Sequence, residues 1–350
     1  MLNRSAALFG LGLVALVQAS ALAALQGRVE SRSFTGPITG MTVRFSIYLP
    51  PGYDSSAARY PVVYHLHGIG GTHNGQQVST VPASFEAAAG QNLIGPVIIV
   101  FPDGYSDSFW ADSIGGNKPA ETDVVRQLVP HVDATFRTIA DARSRVMQGF
   151  SMGGFGATKF AFKFPEVFGM CLEYDGALLT WANVVASHPQ QAQTIFGNSE
   201  AYFNQFSPWF WMNEHRAILD RGYPTRMMAG ALVPGNQRFR DGLLNLNLPI
   251  DYTETGCPHT AGCLFTAEGV ESAAWIGARL GRTNCPPDLS SDRLVDDADF
   301  VLFARAYELL TCDAGPMPFN CPADQNGDGF VDDTDFAAFA QAYDALICPL

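Results

Sequence analysis

Two stretches of the chain, Pro61-Val-Val-Tyr-His-Leu66 and Pro96-Val-Ile-Ile-Val-Phe101, are apolar almost without a break, and each runs into a glycine-bearing loop. A strand with one face in water alternates polar and apolar residues. A strand apolar on both faces needs cover on both, which is the condition of a buried, largely parallel sheet. Met41 to Pro50 supplies the contrast, because Thr42, Arg44 and Ser46 alternate with Val43, Phe45 and Ile47 before Pro50-Pro51-Gly52 closes the run. Period two of this kind predicts a half-exposed strand. From Glu121 to Phe136, Val124, Val125, Leu128, Val129 and Val132 recur at helical spacing instead. Strands alternating with helices predict an α/β fold around a mostly parallel central sheet. A chain of 350 residues, 47% hydrophobic and 16% charged, has material for that core and for a second unit besides.

A third apolar stretch, Val146-Met147-Gln148, leads into Gly149-Phe150-Ser151-Met152-Gly153 and then into an alanine-rich helical stretch. Strand, tight turn and helix around Gly-x-Ser-x-Gly form the pattern of a nucleophile elbow, in which Ser151 stands clear of the backbone beside a base. Side chains at Gly149 and Gly153 would collide in such a turn. Acyl transfer through serine also needs a base, an acid to orient it, and N–H donors for the oxyanion. His67-Gly68-Ile69-Gly70-Gly71 ends the first core strand as a glycine loop of the oxyanion type, so the N–H groups of Ile69 and Met152 are the candidate donors. His65 and His67 themselves read as core or loop-stabilising side chains. The candidate base is His259, in a loop between the alternating Pro249 to Thr253 and the helix-like Glu268 to Leu280. The competing His188, in a polar Ser-His-Pro-Gln run, and His215, inside a helical pattern, read as solvent-facing. A Cys257 to Cys263 disulfide would close a short ring around His259, and Cys171 reads as a buried free thiol.

The segments His65-Leu-His-Gly-Ile-Gly-Gly71, Phe101-Pro-Asp-Gly104, Arg145-Val-Met-Gln-Gly-Phe-Ser-Met-Gly-Gly-Phe-Gly-Ala157 and Phe164-Pro-Glu-Val-Phe168, with the late His259, carry a resemblance. From about Gly40 to Arg282 the chain resembles the secreted esterase D and feruloyl-esterase-like branch of the α/β-hydrolases. The resemblance implies a Ser-His-Asp esterase acting on acyl groups of carbohydrates, thioesters or small alcohols, with no cofactor for catalysis. It also implies an acid just before a Leu-Val-Pro-x-Asn-x-x-Phe-like segment. Here that segment is Leu232-Val-Pro-Gly-Asn-Gln-Arg-Phe239, preceded by Met228-Ala-Gly-Ala231, and no carboxylate stands there. Asp175, one apolar strand earlier, is the candidate acid, with a helix-capping turn aspartate as its other reading; Glu254, Asp251 and Asp241 follow. With no acid in reach of His259 the site would be a dyad, or the domain a carbohydrate- or surface-binding protein. Acyl transfer to a carbohydrate is a further alternative. Trp110, in Phe109-Trp110-Ala111-Asp112-Ser113, is the candidate substrate-binding residue and reads equally as core.

Arg4, the apolar run Ala6 to Val17 and the small residues up to Ala23 predict a signal peptide over 1–23, too short to span a membrane, and hence a secreted or extracellular protein. The domain expected over 24–280 is the hydrolase, followed by a linker at 281–287. From Cys285 onward thirteen Asp and Glu face two Arg, which is −11 of the net −13. Such acidity excludes nucleic-acid backbones as partners. The unit over 288–350 repeats itself: Asp288 to Cys312 and Asp324 to Cys348 agree at 13 of 25 positions, a duplicated supersecondary unit. In the second copy Asp324, Asn326, Asp328, the Phe330 carbonyl, Asp332 and Asp335 have the spacing of a calcium loop, with Gly329 at its turn. The first copy offers Asp288, Ser290, Asp292, the Leu294 carbonyl, Asp296 and Asp299, with Arg293 at the turn, a weaker site. Phe336, Phe339 and Tyr343 mirror Phe300, Phe303 and Tyr307, giving each loop one helix with a core face. This pattern resembles dockerins, small all-α calcium modules. The resemblance implies structural Ca2+ and a cohesin-like or cell-surface protein as partner, although Cys285, Cys312, Cys321 and Cys348 lie outside the usual dockerin pattern.

Overall fold

A computed structural model describes residues 25–219, 222–280, 289, 297–309, 323 and 330–345. The signal-peptide and linker segments, Asp324, Asn326, Asp328, Asp288, Ser290, Asp292, Leu294 and Asp296, and the four late cysteines, lie outside the described residues. Eight strands form one sheet: β1 (Arg28–Thr35), β2 (Thr42–Leu49), β3 (Val62–Leu66), β4 (Ile98–Pro102), β5 (Arg145–Phe150), β6 (Met170–Tyr174), β7 (Thr225–Ala229) and β8 (Asp251–Glu254). Their order is β1-β2-β4-β3-β5-β6-β7-β8. β1 and β2 are antiparallel to their neighbours, and β3 to β8 run parallel. The apolar runs behave as expected, since every residue of β3, β4 and β6 is buried.

Cover comes from α1 (Gln77–Ala89), α2 (Val129–Thr135), α3 (Met152–Lys163), five short helices α4 (Trp181–Ser187), α5 (Pro189–Thr194), α6 (Glu200–Asn204), α7 (Pro208–Glu214) and α8 (Arg216–Leu219), then α9 (Val233–Asn245) and α10 (Ala261–Gly277). Val81, Phe85, Leu264 and Phe265 from α1 and α10 pack with Val63, Ile99 and Leu172 on one face of the sheet. Phe155, Phe160, Met212 and Phe239 from α3, α7 and α9 pack with Tyr64, Leu66 and Met147 on the other. The helical spacing of 121–136 resolves into two windings, a π-helix over Thr122–Leu128 followed by α2. Pro130 is the second residue of α2, in the first turn, where its missing N–H interrupts the ladder carried over from the π-helix.

Two further helices, α11 (Asp297–Leu309) and α12 (Asp333–Ala345), carry the repeat. Phe303 and Phe339, equivalent in the two copies, stack at 4.8 Å over a small core with Leu289, Ala306, Ala323 and Val331. The repeat is reciprocal: the Tyr307 hydroxyl donates to Asp333 and the Tyr343 hydroxyl to Asp297. Each helix thus holds the first turn of the other.

Candidate active site

Ser151 follows β5 directly and sits at φ 59°, ψ −118°. A non-glycine residue there costs on the order of 1–3 kcal/mol and persists only where its surroundings fix it. They do so here, because Ser151 N–H donates to the Tyr174 carbonyl at 3.1 Å and Ser151 C=O accepts from Ala177 and Phe155. The turn is also packed too closely for side chains. A Cβ on Gly149 would stand 2.2 Å from the Gly153 carbonyl oxygen, and one on Gly153 would stand 2.0 Å from that of Leu66.

The carboxyl ends of the parallel strands bring the other parts to this elbow, where α/β sheets build their sites. Ser151 Oγ lies 2.8 Å from His259 Nε2. His259 Nδ1 lies 2.6 Å from Asp175 Oδ2. With Nδ1–H donating to the carboxylate, Nε2 keeps its lone pair for the serine proton. His259 is exposed on its loop while Ser151 and Asp175 are buried. The Cys257–Cys263 disulfide closes that loop, and the Phe150 ring packs on the imidazole at 4.8 Å.

Asp175 leaves the end of β6 at φ 48°, and its N–H donates to the Met228 carbonyl at 2.6 Å. Its second oxygen, Oδ1, accepts from Gly230 N–H at 2.8 Å and Leu232 N–H at 2.9 Å. Those donors belong to the loop after β7, where the sequence lacks a carboxylate. Asp175 therefore reaches from β6 into the β7 loop, and no described helix begins on it. The weaker candidates are engaged elsewhere: Asp251 with Arg226, Asp241 with Arg240, Glu254 with Gln237 and Tyr252.

The glycine loop after β3 abuts the elbow, since a Cβ on Gly68 would lie 3.2 Å from the Ser151 Cβ. Neither Ile69 N–H nor Met152 N–H has an acceptor among the described residues. His67 Nδ1 lies 2.9 Å from the Gly68 carbonyl oxygen, and His67 Nε2 accepts from Gly104 N–H at 3.3 Å. This network assigns the neutral Nδ1–H tautomer. In a trans peptide C=O and N–H point in opposite directions, so the bond from His67 to the Gly68 carbonyl turns Ile69 N–H the other way. Burial lowers the His67 imidazole pKa and pushes that of His65 down to about 3. Both stay neutral supports, and His65 is held between Gln77 and Gln148.

Trp110 does not line a substrate pocket. It is fully buried, its Nε1–H donates to the His67 carbonyl at 3.2 Å, and its own carbonyl accepts from the buried Lys159 Nζ at 2.7 Å. Its ring fills the space left by Gly104 and Gly156, so it braces the glycine loop from behind. His188 and His215 are half-buried rather than solvent-facing. His188 meets the edge of Phe109 at 5.3 Å, and His215 hydrogen-bonds the Phe162 carbonyl at 2.8 Å. Trp211 of α7 also packs against the His215 ring at 4.9 Å. Sequence reasoning missed Phe150, the Gly230 and Leu232 N–H groups, and Lys159. Cys171 is a buried free thiol, as expected.

In the repeat, Asp299 and Asp335 are fully buried. Asp335 Oδ2 accepts from Asp332 N–H at 3.0 Å, and Asp332 Oδ1 accepts from Thr334 N–H at 2.8 Å; Phe330 is exposed. The described part of the loop offers hard carboxylate oxygens, the donors that Ca2+ takes. Among the described residues no group of three or more His, Cys, Asp or Glu is placed to hold a metal ion, and no helix is long and apolar enough to cross a membrane.

Among known proteins, esterase Rv1288 of Mycobacterium tuberculosis H37Rv is 34% identical over 151 residues, 40% of this chain and 32% of that protein. The "Endo-1,4-beta-xylanase/feruloyl esterase" of Xylanibacter ruminicola is 31% identical over 150 residues, 41% of this chain and 21% of that protein. The chain spans about a third or less of these two relatives. In structure, a ferulic acid esterase superposes with a TM-score of 0.60 at 18% identity, over 73% of this chain and 99% of its own. The S-formylglutathione hydrolase FrmB of Staphylococcus aureus gives 0.59 at 19% identity, over 71% and 98%. Likeness at this identity is a likeness of fold, and the fold is that of the α/β-hydrolases. Residues 36–211 match the model of the Esterase family, which is just over half of the 350 residues, and the chain belongs to that family.

Proposed function

We propose that the protein is a secreted serine carboxylesterase joined to a calcium-stabilised attachment module. The observation that carries the esterase reading is the unbroken line of hydrogen bonds from Ser151 through His259 to Asp175. Ser151 Oγ attacks the ester carbonyl carbon as its proton passes to His259 Nε2. The carbonyl oxygen takes the negative charge between the N–H groups of Ile69 and Met152. His259 returns the proton to the leaving alcohol, the C–O bond breaks, and Ser151 carries the acyl group. Water then attacks with His259 again as base, releasing the acid and restoring the serine. Asp175 holds the imidazole tautomer throughout.

The substrates proposed are acyl esters on carbohydrate or plant-type phenolic esters, because relatives and structural neighbours are named feruloyl or ferulic acid esterases. A panel of acetyl, feruloyl and longer-chain esters, run beside Ser151→Ala, tests this. Loss of hydrolysis in Ser151→Ala with a preference for feruloyl or acetyl sugar esters is expected. A wild-type protein that neither hydrolyses these esters nor reacts with a fluorophosphonate would refute it. A binding-protein reading requires that no acid reach His259, and the contact between Asp175 and His259 weighs against it. For the module, Asp324, Asn326, Asp328, Phe330, Asp332 and Asp335, with the weaker set from Asp288 to Asp299, would hold structural Ca2+, and a cohesin-like or cell-surface protein is the partner proposed.

A further inference from the structure

Beneath the Asp175 turn lies a second carboxyl group that the reaction does not use. Glu173 is fully buried on β6, two residues before Asp175. Its Oε2 accepts from Gly176 N–H, while Oε1 has no partner among the described residues. From the opposite side the buried Asn236 of α9 donates to the Gly176 carbonyl at 3.2 Å and to that of Leu232 at 3.1 Å. The Asn236 side-chain oxygen is likewise unpartnered. Gly176 N–H is thus held by the buried Glu173 side chain, and the Gly176 carbonyl by Asn236 together with Leu178 N–H at 2.9 Å. The elbow helix presses on the same spot, since a Cβ on Gly154 would stand 2.6 Å from Gly176 Cα.

A buried carboxyl costs stability unless it is paired, and among the described residues no cation pairs with Glu173. Packing alone would favour an apolar residue at this position. What Glu173 and Asn236 do hold is the turn in which Asp175 adopts its left-handed backbone. We propose that Glu173 is a positioning residue, and that with Asn236 it clamps Gly176 so that the Asp175 carboxylate meets both His259 and the Gly230 and Leu232 N–H groups. Asn236 serves both ends of this arrangement, because the Leu232 whose carbonyl it holds also donates to Asp175. Burial raises the Glu173 carboxyl pKa well above the usual range.

The inference rests on the serine-esterase reading, and the test separates the two. In the full-length protein, Glu173→Leu removes the acceptor for Gly176 N–H, Glu173→Gln keeps one, and each is made with and without Asp175→Asn. Expected are a kcat lowered about tenfold or more in Glu173→Leu with KM nearly unchanged, because a misplaced acid spoils geometry rather than binding. Glu173→Gln stays within about threefold of wild type. In the Asp175→Asn background Glu173→Leu adds less than about twofold, because the two act through one contact. If Glu173→Leu does not fold, Asn236→Ala is read in the same way. A wild type inert to ester and fluorophosphonate removes the esterase reading and this inference together. An active wild type in which the variant leaves kcat unchanged, or adds its full loss on top of Asp175→Asn, overturns this inference alone.

Discussion

On the proposed mechanism, Asp175→Asn separates what the acid does for chemistry from what it does for the fold. Asp175 Oδ1 accepts two main-chain N–H groups and Oδ2 faces His259 Nδ1, all in a fully buried position. An asparagine has one acceptor oxygen and one NH2. The two N–H groups at Oδ1 keep the oxygen there, since turning NH2 toward them would set donors against donors. The NH2 must then face His259 Nδ1, which has to accept, so the proton moves to Nε2 and the imidazole can no longer take one from Ser151. The wrong tautomer in a serine triad costs about 10⁴ in kcat, or about 5.4 kcal/mol at 1.36 kcal/mol per tenfold. Stability changes little, because all three contacts are kept. Asp175→Ala should behave in the opposite way. It orphans two buried N–H groups at about 1–3 kcal/mol each, yet it frees His259 to adopt the useful tautomer. Steady-state hydrolysis of an activated acetyl ester, with urea unfolding of each variant, reads both quantities. The Asn variant should be the more stable and the less active of the two. An Asn variant within tenfold of wild type, or an Ala variant less active than Asn where both are folded, would refute the reasoning.

Other predictions follow from the supports around the site. Opening the Cys257–Cys263 bridge by Cys263→Ser should lower stability by about 2 kcal/mol, the entropy of a short loop. It should lower kcat by up to about a hundredfold, as misplacement of a catalytic group does, and an unchanged kcat would show that Phe150 and Asp175 suffice to hold His259. Glu121 pairs with the fully buried Lys159 and with the more exposed Lys163. Glu121→Leu should therefore cost about 3–5 kcal/mol by leaving Lys159 uncompensated, whereas Lys163→Met should cost well under half of that; equal losses in urea unfolding would contradict the pairing. Removal of calcium by EDTA should lower or abolish one calorimetric transition, assigned to the repeat, with Ca2+ restoring it. Superimposable traces would count against a calcium module.

Much of the sheet was legible because its strands are apolar on both faces, as Val62 to Leu66 and Ile98 to Phe101 show. β1 was not, since Arg28 to Thr35 is an edge strand of mostly polar residues paired on one side only. Of the short helices between Trp181 and Leu219 only the pattern around His215 was legible; the others are too brief to display a helical period. At the site, Ser151 and His259 could be read from local motif and chain order. Asp175 could be reached only through the carboxylate missing before Leu232, and the donors that receive it could not be read at all, because a main-chain N–H carries no letter of its own. Trp110 failed where an aromatic next to a site and an aromatic in the core look alike. What distinguishes them is the room left by Gly104 and Gly156, which only the folded chain displays.

The Gly230 and Leu232 amides form a socket on one strand end, and the carboxylate that occupies it comes from the next. Socket and occupant thus come from different strands, and the geometry asks only that some carboxylate oxygen fill the pair of amides within reach of the imidazole. Relatives whose alignment shows no acid at either place would be better searched by that socket than by sequence column.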